Sequence, residues 1–203
     1  MTRLALLAIA ALAIAVLAGC GGNSSSTGTG GPAATAASTV ASAEAASTPF
    51  DQAFIDGMVP HHEGAINMAR AALDAGLAQQ ELITIAEEVI ATQQVEIDQM
   101  RAWRDDWFGS ADIDPDGAAA LGLSQIEMGM QHDSSALADV ADIDAMFASM
   151  MIDHHDGAIA MAELAGERSE RQEIRDLAGR IIAAQQREIE TMRRHAAGEH
   201  DGH

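Results

Sequence analysis

Two adjacent histidines with a methionine one turn before them occur twice in this sequence: Met58 with His61 and His62, and Met151 with His154 and His155. Imidazole nitrogen and thioether sulfur are uncharged donors of intermediate to soft character. They suit a soft monovalent ion such as Cu(I), which they hold without burying net negative charge. On a helix, residues three and four apart share a face, so Met58 with His61 or His62 converges on one point. Met192 and His195 repeat the three-residue spacing. A structural role competes with this chemistry. Methionine fills irregular core space, and a buried histidine pair can act as a hydrogen-bond hub, here with Gln93 and Gln185 as partners.

The elements that position these residues follow from an internal repeat. The segment from Phe54 to Ala69 recurs from Phe147 to Ala162 at an offset of 93 residues, and Ile90 to Met100 recurs as Ile182 to Met192 at an offset of 92. Each half therefore predicts a helix, a short turn near Gly76 or Gly166, and a second helix. The four spans are roughly 49–75, 79–107, 142–165 and 168–197, with Thr48 as first cap and Pro49 opening the first helix. Within the first helix, Phe54, Met58, His61, Ala65 and Met68 form one stripe, beside Ile55, Val59, His62, Ile66 and Ala69. Both histidines fall in the apolar sector that should face a core. The stripes recur as Phe147, Met151, His154, Ala158 and Met161 beside Ala148, Ile152, His155, Ile159 and Ala162. On the second and fourth helices the matching stripes are Ile90, Gln93, Ile97, Met100 and Ile182, Gln185, Ile189, Met192. Pro60 removes a backbone donor just before His61 and is a candidate kink.

Between the halves, residues 108–141 are broken by Gly109, Pro115, Gly117 and Gly122. A crossover of this length permits the third helix a direction that a tight hairpin forbids, giving an all-α, ferritin-like four-helix bundle of two helix-hairpin repeats. The domain spans 49–203: repeat one 49–107, crossover 108–141, repeat two 142–197 and a tail 198–203. The crossover segment Met128-Gly-Met130-Gln-His132 and the tail with His200 and His203 add weaker Met/His signals to the metal reading, but each alone reads first as solvated loop or frayed end.

Composition narrows the partners. Of 203 residues, 48% are hydrophobic but only 3% aromatic, which favours helix over sheet. Eleven basic residues face 31 acidic ones, a net charge of -20, so a nucleic-acid surface is excluded. The N-terminus begins with Arg3 and the apolar run Leu4 to Leu17, and reaches Leu17-Ala18-Gly19-Cys20. This resembles the lipobox of bacterial lipoprotein precursors: a signal peptide over 1–19, an acylated Cys20 and a Gly/Ser/Ala-rich tether over 20–48. The expected location is the outer face of the cytoplasmic membrane or the cell envelope. The sequence names no protein partner and is compatible with a homo-oligomer.

A carboxylate di-iron oxidase needs two Glu-x-x-His motifs, and none of the eight histidines has Glu three residues before it. The zincin motif is absent too, because His62-Glu63 continues with Gly64-Ala65-Ile66. No enzyme is expected. The stretches FDQAFIDGMVPHHEGAINMARAAL with IAEEVIATQQVEIDQMRAW, and FASMMIDHHDGAIAMAELA with LAGRIIAAQQREIETMRRH, resemble the bacterial family called domain of unknown function 305 over about residues 49–197. The resemblance implies a ferritin-like fold, export and copper binding linked to tolerance. It also implies Met58, His61, His62, Met68 and Met100, with Met151, His154, His155, Met161 and Met192, as ligands. The family's aromatic after the last methionine is kept as Trp103, whereas the second half has His195. Two functions follow as expectations: sequestration or transfer of Cu(I), or a metal-free envelope interaction or stress module with a structural His-Met core.

Overall fold

The computed structural model describes residues 48–196. The signal peptide, Cys20, nearly all of the tether and the His200/His203 tail lie outside them. Four helices form the described domain: α1 (Phe50–Asp74), α2 (Gln80–Phe108), α3 (Ile143–Arg168) and α4 (Gln172–Ala196). The crossover carries two short 3-10 turns, Gly117–Leu121 and Ser134–Leu137. No helix among the described residues is long and apolar enough to cross a membrane.

Local chemistry sets most helix ends. The Asp142 carboxylate accepts from the Ala145 N–H at 3.0 Å and caps α3. Its neighbour Asp144 accepts from the Ala78 and Gln79 N–H groups at 2.9 and 3.1 Å, which secures the approach to α2 from another helix. Gly109 stops α2 in the left-handed region, at φ 80°. Two expectations fail here. Pro49, not Thr48, is the cap of α1 and makes no side-chain cap bond. Gly166 is not the second turn: α3 runs on to Arg168, and the chain reverses at Ser169, whose hydroxyl accepts from the Arg171 N–H at 3.1 Å. Gly166 has ordinary helical backbone, and the last turn of α3 still buries Ala165. The α1 helix runs through Pro60 without a break.

Cross-helix contacts give the directions. The rings of His61 and His154 meet at mid-helix, Gly57 lies against the Met161 side chain, and Arg171 reaches Asp51 at 3.8 Å. The α1 and α3 helices are therefore antiparallel. Glu81 at the start of α2 meets His195 at the end of α4, while Gln99 meets Arg180, so α2 and α4 are antiparallel as well. With each hairpin antiparallel, the order is up, down, down, up. The crossover must travel the length of the bundle, as in ferritin-like folds. Its start is held by a buried ion pair. Arg104 donates from Nε to Asp56 Oδ1 at 3.0 Å, and the Asp114 N–H donates to the same oxygen at 3.2 Å.

The apolar interior divides into two clusters. One contains Phe54, Met58, Met100, Met161 and Leu177 with Met128 of the crossover; the other contains Met68, Leu82, Phe147, Met151 and Met192. Phe54 and Phe147 occupy equivalent places in the repeat and both are fully buried. Truncating either to Ala would cost about 3–5 kcal/mol. Along every helix the changeover between clusters falls near the repeated polar positions: 61 and 62, 93, 154 and 155, and 185. A polar layer thus crosses the middle of an otherwise apolar core.

Candidate metal centre

The histidines lie where the helical stripes put them. His61, His62 and His155 have no exposed surface and His154 has 3%. Their approach depends on glycine: a Cβ on Gly64 would stand 3.2 Å from His154 Nε2. The His61 and His154 rings sit 3.7 Å apart between centroids, tilted by 41°, and His62 lies 6.3 Å from His61.

His62 and His155 are anchored alike. His62 Nε2 lies 2.8 Å from a Glu96 oxygen on α2, and His155 Nε2 lies 2.7 Å from a Glu188 oxygen on α4. A carboxylate only accepts, so each Nε2 carries the proton. Nδ1 faces away from that carboxylate, and in both residues it is buried without a partner. Carboxylate behind one nitrogen and a free lone pair on the other is the arrangement by which proteins orient metal-binding imidazoles.

His61 is the more exposed to penalty. Neither of its nitrogens makes a well-formed hydrogen bond, although backbone groups of Met128 and His154 lie near enough to act on the ring, and His154 Nδ1 is buried without a partner. Burial foremost, then the rings of His62 and His155, hold the His61 imidazole well below its usual range, with backbone groups of Met128 and His154 offsetting part of this. Burial likewise dominates at His154, followed by His61, His155, His62 and His132. Both rings are therefore neutral bases at neutral pH. An unsatisfied buried polar atom costs about 1–3 kcal/mol, against a whole-domain stability of about 5–15 kcal/mol. Five such nitrogens in one layer are a large fraction of that stability.

The glutamines depart from expectation. Gln93 and Gln185 are buried at 3% exposure, yet they bond no imidazole, and their amide oxygens have no partner. Glu96 and Glu188, three residues on, take the histidines instead. The shared Q-x-x-E of both repeats held that signal, because residues three apart lie on one helix face. Between α2 and α4 a cleft of about 400 Å³ is lined by Gln93, Glu96, Arg180, Gln185, Arg187 and Glu188, so the anchoring carboxylates stand at an open cleft.

All six methionines of the expected ligand set are buried, at 2% exposure or less. They sort across the repeats rather than within them: Met58 and Met100 cluster with Met161, whereas Met151 and Met192 cluster with Met68. Antiparallel packing of α1 on α3 causes the exchange. The crossover segment is also not the solvated loop expected. Met128 is buried at 5%, and Gly129, at φ 67°, would bring a Cβ within 2.7 Å of the Asp153 carbonyl. His132 pairs with Asp153 at 3.5 Å. This stretch lies on α3 directly over His154. Among the described residues no group of three or more His, Cys, Asp or Glu side chains is placed to hold a metal ion.

Fold and site together define a ferritin-like four-helix protein with a doubled His-Met core. The chain belongs to the family Domain of unknown function (DUF305), whose sequence profile matches residues 18–104 and 51–196. It is similar to CopM in the Cu(I)-bound form, at 33% identity and a TM-score of 0.63 over 74% of this chain and 97% of CopM. CopM in the Cu(II)-bound form gives 34% and 0.64 over the same shares. A DUF305 protein from Streptomyces coelicolor shares the fold at 24% identity and a TM-score of 0.65, over 72% of this chain and 91% of that one. No curated protein sequence matches the chain.

Proposed function

We propose that this protein is an exported lipoprotein, anchored through Cys20, that binds Cu(I) in its His-Met core for sequestration, tolerance or transfer. One observation carries the proposal: His62 and His155 each turn a carboxylate-backed ring so that Nδ1 is buried in the core without a partner, beside His61, whose ring makes no well-formed hydrogen bond. A purely structural hub would use those nitrogens. Neutral imidazole and thioether donors fit a soft monovalent ion, and Met58, Met100 and Met161 on one side, with Met68 and Met151 on the other, supply the sulfurs. The copper-bound forms of CopM support the choice of metal. A net charge of -20 raises the local concentration of cations.

The test is a Cu(I) titration against a chromogenic chelator, using the mature chain made soluble by Cys20→Ser. A variant with Leu at 61, 62, 154 and 155 is run beside it, its helicity checked by circular dichroism. Binding by the first, with loss in the folded second of the equivalents held at the central histidine layer, is the expected result. Equal competition by both would make the four central histidines structural, and no binding by either would return the protein to a metal-free envelope module.

A further inference from the structure

We propose that the second repeat carries an additional soft-metal site at the end of the bundle, built on His195 and Met192, which the first repeat lacks. It goes beyond the central histidine layer. His195 shows the same signature as His62 and His155. Its Nε2 lies 2.9 Å from a Glu81 oxygen in the first turn of α2, and its Nδ1 is buried without a partner. The residue is 8% exposed, whereas the Glu81 side chain is 57% exposed, so the ring points its free nitrogen inward from a carboxylate at the surface. An ordinary surface ion pair gives no reason for that inward nitrogen.

A sulfur donor is already at hand. Met192 is fully buried one turn earlier on α4, and it belongs to the apolar cluster that also holds Met68, Met150 and Met151. Residues at this spacing have Cβ atoms about 5–6 Å apart on one face, which puts the imidazole and the thioether within reach of a common ion. The repeat supplies the contrast. The position equivalent to His195 is Trp103, which stacks on Trp107 at 5.2 Å and 11°. An indole offers no lone pair to a metal. The first repeat therefore has a hydrophobic clasp where the second has a ligand. The occupant is a monovalent soft cation, Cu(I) or Ag(I).

Met192 and His195 act as ligands here, and Glu81 as a positioning residue. The Cys20→Ser chain is titrated with Cu(I) against the chelator, and the long-range proton–nitrogen NMR spectrum of its histidines is followed with Ag(I). His195→Gln and the volume-conserving Met192→Leu should each lose one equivalent. Glu81→Gln should keep it with about tenfold weaker binding. His195 Nδ1 should shift on Ag(I) addition. The variant with Leu at all four central histidines should retain one equivalent that disappears when His195→Gln is added. Wild-type stoichiometry in both single variants, or a His195 Nδ1 resonance that stays still while silver binds elsewhere, overturns the proposal. Failure of the central site alone shows differently, as a four-leucine variant indistinguishable from wild type. If His195→Gln does not fold, Met192→Leu and the wild-type spectrum decide.

Discussion

Replacing His61 by Leu should stabilise the metal-free protein while weakening its hold on copper. The His61 ring is fully buried and neither of its nitrogens makes a well-formed hydrogen bond. At about 1–3 kcal/mol for each unsatisfied atom, removing the two relieves about 2–6 kcal/mol. Leucine is close in volume, and such swaps in a packed core cost less than about 1.5 kcal/mol. Backbone groups of Met128 and His154 already compensate His61 in part, which discounts the upper end. A net gain of about 1–3 kcal/mol remains. For a domain of this size that raises Tm by roughly 2–12 °C. The assay is urea and thermal unfolding of wild type and variant with a strong chelator present. With Cu(I) at about 100 times its Kd, wild type should gain about 2.7 kcal/mol that a non-binding variant does not, so the gap between them closes or reverses. A chelated variant that is destabilised by more than about 1 kcal/mol would refute the reasoning and make His61 a satisfied structural residue.

Three further outcomes are expected. Glu96→Gln with Glu188→Gln removes the charge behind the His62 and His155 rings, and should weaken copper binding about 10–100-fold in the chelator competition with little change in unfolding. His61 and His154 titrate below the usual 6.5 in the fold, so between that depressed value and 6.5 the unfolded chain holds more protons. Metal-free stability is then full above pH 6.5 and is lost as pH falls, by at most about 1.4 kcal/mol per unit for each ring; a urea midpoint unchanged from pH 7 to 5 would contradict this. Gly157→Ala drives a Cβ into the Met128 carbonyl and to 2.5 Å from the Gly129 nitrogen, so it should cost about 1–3 kcal/mol. Faster amide exchange at residues 128–132 would report the displaced crossover.

The sequence alone determined the helices, their pairing into repeats and the burial of the four histidines. Each of these is a periodic property: an apolar stripe at helical spacing must face a core, and His61, His62, His154 and His155 stand within that stripe in both copies. Helix ends were less legible. Gly166 is accommodated inside α3 at a cost of about 1 kcal/mol against alanine, and the Ser169 turn rests on hydroxyl and guanidinium bonds that no stripe encodes. Tertiary structure decided which donors meet. Spacing along one helix grouped Met58 with Met68, but antiparallel packing of α1 on α3 places Met68 beside the second repeat's methionines. Only the packing of α1 on α2 and of α3 on α4 could choose Glu96 and Glu188 over Gln93 and Gln185 as imidazole partners. A one-dimensional period fixes the face on which a side chain stands, whereas its partner depends on the height at which two helices cross, which long-range contacts set.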